Sequence, residues 1–529
     1  MMLMEAASGC KSVEQGKLPI TQGNLHFPEP FLPPTFLDID MVWAFATDST
    51  WIYLFHPLIV LLFAIRIIWV RRPPGVAMAW ILIVAIMPII GISAYLLIGE
   101  RPTGRERRKR MHEIAPAYIR MTELFDVRFP ETTCHINDKF RAMAVLAEHH
   151  GGMPPVPGNA LTLYSDAQTI LHGMIDDINA AQSRCDVEFY IWNPGGTADL
   201  VGEALIRAAA RGVACRVLLD ELGSSTFFKS AWPKRLKSGG VQLVKACAIH
   251  PLRLQFGRAD LRLHRKIVAI DQHIAWTGSL NLVDPAFFKQ DAGVGEWVDA
   301  MTRVVGPSAV ALTTIFEGDW AIETGNIAGF ITFLDQIRAT PIPPPSGDLN
   351  VQVVPTGPSY KAANMSHMLL SAVLDARKEV VLTTPYFVPD EALFQALQTA
   401  ACRGVDVTLI VPQRVDSTLV RYASRSYMAD LLTAGVKIQQ FTGGLLHTKS
   451  LVVDREFTIF GSVNLDMRSL RLNYEITLMI YDAGFSQQVR ALQDQYLARS
   501  IPIDPTAWSA RPLSERLKEN AAQLMAPLL

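Results

Sequence analysis

The chain has 529 residues, half of them hydrophobic, and its 49 basic and 50 acidic side chains leave a net charge of −1. That length allows two to four domains, and the neutral balance argues against a surface built to coat nucleic acid. The six cysteines are scattered with no CxxC pair, which excludes a dense disulfide framework and fits reduced thiols.

Residues 1–45 hold Pro28, Pro30, Pro33 and Pro34 and show no periodicity. They read as an N-terminal tail without a secretory signal. Residues 46–110 are expected to form a membrane hairpin. The run 51–70 is apolar apart from His56 and Arg66, and the run 76–98 holds no charge. Each has the length of a bilayer span. Arg66 must then snorkel to the interface, so an interfacial or re-entrant helix is the alternative for the first run. Trp51, Tyr53, Trp69, Trp80 and Tyr95 lie near the ends of the runs, as interface aromatics do. The basic cluster Arg101, Arg105, Arg107, Arg108, Lys109 and Arg110 follows. By the positive-inside rule it assigns the remainder of the chain to the cytoplasm, although Arg71 and Arg72 in the connector pull against a full first span. The cluster also suits anionic lipid headgroups.

Residues 111–158 form a connector, and the chain then alternates between element types. Helical patterns at 166–182 and 199–211 are followed by apolar strands at 186–192 and 214–220. After a break at Pro341, Pro343, Pro344 and Pro345, the order returns as helix 367–377, strand 379–384, helix 391–402 and strand 405–411. An Arg-Gly-Val junction sits between helix and strand at 211–213 and again at 403–405. This alternation predicts an α/β protein of βαβ-rich halves, 159–340 and 346–529, with mixed, largely parallel sheets.

Each half carries one copy of the same constellation. His264, Lys266, Asp271, Ser279 and Asn281 recur as His447, Lys449, Asp454, Ser462 and Asn464, each pair offset by 183 residues. In a strand, residues two apart project to one face, so each histidine and lysine point together. An imidazole, an ammonium group, a hydroxyl and an amide on one face form a receptor for a phosphoryl group. A metal site is not expected, because the lysine within the motif would repel the cation.

The pattern H-x-K-x4-D-x6-G-S-x-N, present twice, resembles the phospholipase D superfamily. The stretches 288–296 (FKQDAGVGE), 383–391 (TTPYFVPDE), 466–469 (DMRS) and 473–475 (NYE) are similar to bacterial cardiolipin synthases of the two-transmembrane type, as are Asp416, Arg421 and Arg425. The likeness runs from about residue 51 to 500. It implies a duplicated phospholipase D-like fold behind an N-terminal transmembrane hairpin, in a multi-pass protein of the bacterial inner membrane. It also implies phosphatidyl transfer between two phosphatidylglycerol molecules, giving cardiolipin and glycerol through a phosphatidyl-histidine, with no cofactor. The expected partners are phosphatidylglycerol, cardiolipin and the lipid bilayer, and no nucleic acid.

By the same analogy His264 is the nucleophile and His447 the acid and base. Lys266, Lys449, Asn281, Asn464, Ser279 and Ser462 would bind the phosphate oxygens. Asp271 and Asp454 belong to the motif but sit at strand-end turns, where aspartate is common for local hydrogen bonding. Each imidazole needs a carboxylate to set its tautomer. Glu475 is expected to serve His447, and Asp299, with Glu296 as competitor, to serve His264. The first half has a longer loop before its histidine, with Pro251, Leu252, Arg253, Leu254, Phe256, Arg258 and Arg262, suited to acyl chains and a headgroup or simply to the surface. The motifs do not separate a synthase from a phospholipase D or from a transferase using another alcohol.

Overall fold

The computed structural model describes residues 49–525 except 71–73, 100–104, 130–133, 135, 249–260, 341–344 and 359–364. The expected N-terminal tail, most of the proline break and the loop from Pro251 to Arg258 therefore lie outside the described residues. The chain divides into two units, Met1–Arg71 and Arg72–Leu529.

In the second unit the first half contributes β1 (Val156–Tyr164), β2 (Arg184–Phe189), β3 (Ala214–Asp220), β4 (Gln242–Ala246), β5 (Ile267–Ile270), β6 (Ile274–Gly278), β7 (Trp297–Val298) and β8 (Met301–Val305). The second half contributes β9 (Leu349–Thr356), β10 (Glu379–Thr383), β11 (Phe387–Val388), β12 (Asp406–Pro412), β13 (Lys437–Phe441), β14 (Leu445–Leu446), β15 (Ser450–Val453), β16 (Phe457–Gly461), β17 (Leu465–Asp466), β18 (Glu475–Ile480) and β19 (Ser500–Pro502). One 15-stranded sheet runs β19-β13-β12-β10-β15-β16-β18-β9-β1-β8-β6-β5-β2-β3-β4. Read outward from the β9–β1 junction, the two arms repeat the same strand order, which is the internal duplication in three dimensions.

The sheet is not largely parallel. Within this sheet, among the described residues, only the triplets β2-β3-β4 and β10-β12-β13 pair in parallel. These strands are joined by helices such as Thr197–Ala210 and Glu391–Cys402, as a crossover requires. After each histidine, tight turns join β5 to β6 and β15 to β16, longer segments lead on to β8 and β18, and the pairings of these strands with one another and with β2 or β10 are antiparallel.

Helices cover both faces. Ala167–Ala180 and Thr197–Ala210 bury Ile170, Leu171, Val201 and Leu205 against Val187, Val217 and Val268 in the first arm. The other face is closed by Pro307–Thr324, whose side chains are nearly all buried, and in the second arm by Ala483–Leu497. Buried residues of both arms, among them Val304, Ile315, Val351, Ile476 and Val489, form one continuous core. Both arms are therefore held in register by apolar burial, roughly 25 cal/mol per Å².

Among the described residues no helix is long and apolar enough to cross a membrane. The helix Ser49–Trp69 includes His56, Pro57 and Arg66. The second apolar run, expected to be continuous, is a helix Pro74–Ile86, a break at Met87, a helix Pro88–Ala94 and a π-helical turn Tyr95–Gly99. Pro88 causes the break, since it lacks an N–H and forces its predecessor out of the helical region. Met87 accordingly has φ −128° and ψ 70°.

Candidate active site

His264 and His447 stand just before β5 and β15, where each chain leaves an irregular segment and enters the sheet. The residue between histidine and lysine points to the opposite face, as strand alternation requires. There Arg265 ion-pairs with Asp319 of the covering helix Pro307–Thr324. The Thr448 hydroxyl, its counterpart, lies 3.0 Å from the Tyr496 hydroxyl of Ala483–Leu497. Histidine and lysine are thereby turned inward, and all four are buried: His264 is 7% exposed, Lys266 0%, His447 3% and Lys449 3%.

The two copies meet because the arms exchange backbone at the centre. The His264 N–H donates to the Tyr474 carbonyl at 2.8 Å, and the Tyr474 N–H to the Arg262 carbonyl at 2.9 Å. The mirror contact pairs β14 with β7, and the His447 N–H donates to the Val298 carbonyl at 2.8 Å. Each histidine thus lies against the residue preceding the other half's carboxylate. The pairing expected from the sequence is reversed as a result. Glu475 Oε2 is 2.7 Å from Nδ1 of His264, and Asp299 Oδ1 is 2.7 Å from Nδ1 of His447. Glu296, the competitor considered for His264, is exposed. A carboxylate can only accept, so Nδ1 carries the proton in both rings and Nε2 keeps its lone pair.

Ser279 and Ser462 also differ from expectation. Their hydroxyls donate 2.6 Å bonds to Asp299 and Glu475, so they brace the carboxylates and not a phosphate. The glycine before each serine makes this possible. A Cβ on Gly278 would meet the Ala300 carbonyl oxygen at 2.5 Å, and one on Gly461 the Ile476 oxygen at 2.3 Å. Asn473 adds a 3.2 Å bond to the other oxygen of Glu475.

The electrostatics follow from this dry, crowded geometry. Burial pushes both imidazoles down to about 4; the facing carboxylates oppose the shift, and Lys266 and Lys449 both deepen it in each ring. That each lysine acts on both histidines shows the motifs form one site. Burial likewise lowers Lys266 to about 8 and Lys449 well below its ordinary value, against the pull of Asp299 and Glu475. Burial alone would raise the two carboxyls, but the imidazoles and lysines hold them below the usual range. The resting site therefore pairs two neutral imidazoles with two carboxylates. The Lys266 and Lys449 ammonium groups donate to the His264 and His447 carbonyls at 2.7 and 2.5 Å.

Asn281 and Asn464 reach the same region. The Asn281 amide oxygen accepts from the Ile191 N–H at 3.3 Å, while the buried Asn464 amide oxygen has no hydrogen-bond partner among the described residues. Residues to which the sequence reading assigned no role frame the rings. The Tyr190 ring lies 5.0 Å from His264, and Trp297 lies 4.3 Å from His447. Tyr386 donates to Asp416 at 2.8 Å, and Asp416 pairs across the halves with Lys289 at 3.0 Å. Tyr386, Asp416 and Lys289 lie within motif stretches, but nothing in their spacing indicates that these stretches meet. Arg262 and Arg468 both act on Tyr190 beside His264.

Asp271 and Asp454 are not in the site. Each lies seven residues from its histidine, roughly 20 Å along an extended strand, in a turn with φ of 51°. Asp271 accepts from the N–H groups of Gln182, Ser183 and Arg184 at 2.7–2.9 Å. Asp454 accepts from Arg377, Lys378 and Glu379 at 2.7–2.9 Å and pairs with Lys139. Their work is to tie the turn after the motif strand to the segment entering β2 or β10. Asp454→Ala is expected to cost about 2–3 kcal/mol, since it orphans backbone donors worth about 1–3 kcal/mol each, partly resatisfied by water. Denaturant unfolding with a parallel activity assay would check this. A variant of wild-type stability with activity lost would instead give Asp454 a chemical role.

Comparison with known proteins agrees with this architecture. Residues 174–320 and 369–496 match the family described as cardiolipin synthase, PLD-like domain, and residues 58–100 match the phospholipase D-nuclease N-terminal family. The chain is 44% identical over 499 residues to cardiolipin synthase A of Erwinia tasmaniensis, covering 92% of this chain and 99% of that one. It is 43% identical to the cardiolipin synthases A of Edwardsiella ictaluri and Yersinia pseudotuberculosis at the same coverage. Among solved structures, the phosphatidylserine synthase of Haemophilus influenzae superposes with a TM-score of 0.55 at 14% identity, over 74% of this chain and all of that one, and so shares the fold. With both H-x-K motifs converging on one buried site, these matches establish that the chain belongs to the cardiolipin synthase family of the phospholipase D superfamily.

Proposed function

We propose that this protein joins two phosphatidylglycerol molecules into cardiolipin and releases glycerol, working at the cytoplasmic face of the bacterial inner membrane with its N-terminal apolar segments attached to the bilayer. The observation that carries the reading is the pair of buried imidazoles, each fixed through Nδ1 by a carboxylate of the opposite half. Both Nε2 atoms are thus free to act on one phosphorus.

In the first step Nε2 of His264 attacks phosphorus, the bond to glycerol breaks, and the departing oxygen takes a proton from His447. In the second, His447 takes the proton of a hydroxyl on another phosphatidylglycerol. That oxygen bonds to phosphorus and the bond to His264 breaks. Atoms balance, and His447 ends as it began. An imidazole near 4 is unprotonated at neutral pH, which suits the nucleophile. The phosphodiester brings the negative charge that lets the second imidazole hold a proton, so the two titrate as a pair. In this reading the two lysines, with the side-chain NH2 groups of Asn281 and Asn464, hold the non-bridging oxygens as charge builds. Assignment of His264 as nucleophile is supported by the guanidinium groups of Arg262 and Arg468 on its side of the site.

Burial of the histidines and lysines supports transfer over hydrolysis, because the phosphatidyl-enzyme must wait for a lipid hydroxyl while excluding water. Purified protein in detergent with phosphatidylglycerol alone is expected to yield cardiolipin and glycerol. With cardiolipin and labelled glycerol, label is expected in phosphatidylglycerol. Phosphatidic acid as the main product under both conditions would replace the synthase reading with a phospholipase.

A further inference from the structure

The apolar run between Pro74 and Gly99 turns back on itself. Trp80 and Tyr95 are fifteen residues apart, about 22 Å in a continuous helix, yet their ring centroids lie 5.4 Å apart in an edge-on contact. The bend closes at Gly91, where an added Cβ would fall 2.6 Å from the Ile83 carbonyl oxygen and 2.9 Å from the Val84 Cα. Only glycine permits that approach. Two backbone bonds bracket the turn, the Met87 N–H donating to the Ile83 carbonyl and the Gly91 N–H to the Met87 carbonyl. The result is a hairpin with arms Pro74–Ile86 and 88–99, held by Trp80 on Tyr95.

Its surface is apolar and exposed around the tip. Ile86 is 68% exposed, Ile89 82% and Ile90 62%, with Met78 and Leu82 exposed along the first arm. The 13-residue arm is about 20 Å long, short of the roughly 30 Å hydrocarbon core but long enough to enter one leaflet. No charged residue occurs from Pro74 to Gly99, while Arg71 and Arg72 precede the hairpin and Arg105, Arg107, Arg108, Lys109 and Arg110 follow it.

We infer that residues 74–99 are a re-entrant hairpin that inserts into the cytoplasmic leaflet of a phospholipid bilayer and returns to the same side, without crossing. The inference rests on the membrane attachment proposed above and specifies its form. It removes the conflict between the two basic clusters, because a spanning helix would put Arg71 and Arg72 on the face opposite Arg105–Arg110, whereas a hairpin leaves both on the cytoplasmic side. Helical arms bond their own backbone within hydrocarbon, and Pro88 at the turn has no N–H to leave unpaired. The anchor also leads straight to the chemistry. Arg107, one turn into the next helix, ion-pairs with Glu323 and hydrogen-bonds the Tyr474 hydroxyl at 3.3 Å. Tyr474 is the residue whose backbone seats His264. The His264 side of the site is thereby tied to the segment that emerges from the leaflet, where a lipid headgroup would arrive.

The test labels single-site variants of the full chain, Gly75→Cys, Ile89→Cys and Lys109→Cys, with a membrane-impermeant maleimide, scored above the parent chain. In right-side-out spheroplasts none is expected to react. In inside-out vesicles positions 75 and 109 are both expected to react, and position 89 only after detergent is added. Reaction of positions 75 and 109 from opposite faces would overturn the hairpin in favour of a span while leaving the membrane reading intact. So would reaction of position 89 from outside. Release of the protein by alkaline carbonate would overturn both.

Discussion

Replacing either histidine is expected to abolish cardiolipin formation, and replacing both to do no further harm. His264→Gln and His447→Gln are the variants of choice, because a side-chain amide can still donate to Glu475 or Asp299 and spares the fold an orphaned buried carboxylate. Each should lower turnover by about four orders of magnitude, roughly 5.5 kcal/mol of barrier. The reason is structural: both rings face one site and each lysine acts on both, and in the proposed mechanism neither half-reaction proceeds without both imidazoles. Groups acting as one unit give losses that do not add. Initial rates for the two single variants and the double variant decide it. A single variant within about tenfold of the parent chain would end the two-histidine mechanism.

The second large effect tests the crossed carboxylates. Glu475→Gln and Asp299→Asn keep shape and remove charge, so each imidazole loses the acceptor that fixes its tautomer. Where an aspartate plays that part for a catalytic histidine elsewhere, the loss is roughly 10⁴-fold, and a fall of 10² to 10⁴ is expected here. Rates alone do not show which carboxylate serves which ring. Nitrogen NMR of labelled histidine does: Glu475→Gln should shift the His264 ring and leave His447 nearly unmoved, and Asp299→Asn the reverse. The opposite assignment would mean that each half completes its own histidine and that the backbone exchange at Leu263 and Tyr474 has no catalytic meaning.

This crossing marks the limit of what the chain reveals when read as text. The duplication was legible because it is local: a fixed offset, a period of two around each histidine and helix–strand alternation on either side survive without any knowledge of packing. The same locality explains the correct grouping of His264 with Lys266 and of His447 with Lys449 on one face. Pairing a histidine with its carboxylate depends on which segments meet across 211 residues for His264 and 148 for His447. His264 and Glu475 come together only because the chain at Arg262–His264 bonds to Tyr474. In each half the nearer partner of the carboxylate is its own serine, Ser279 or Ser462, so sequence proximity pointed to the wrong ring.

Asp271 and Asp454 mislead for a related reason. Constant spacing is equally well produced by a turn that needs a residue in the left-handed region and an acceptor for three backbone donors. Only the hydrogen bonds to 182–184 and 377–379 tell the two roles apart. The sheet reads as more parallel than it is because crossovers leave a helical signature, while the turn between β5 and β6 and the irregular segment between β6 and β8, which make these strands antiparallel, leave a fainter one. In the apolar run 76–98, hydropathy established that the segment avoids water. That the run bends back on itself follows from Pro88, which removes a helical donor, and from Gly91, which lets two backbones touch. The sequence by itself thus determined the duplicated chemistry, because reactive groups two apart on a strand need only local geometry. The tertiary structure alone decided which carboxylate holds which histidine and how the apolar segment folds, because both depend on contacts between distant stretches of backbone.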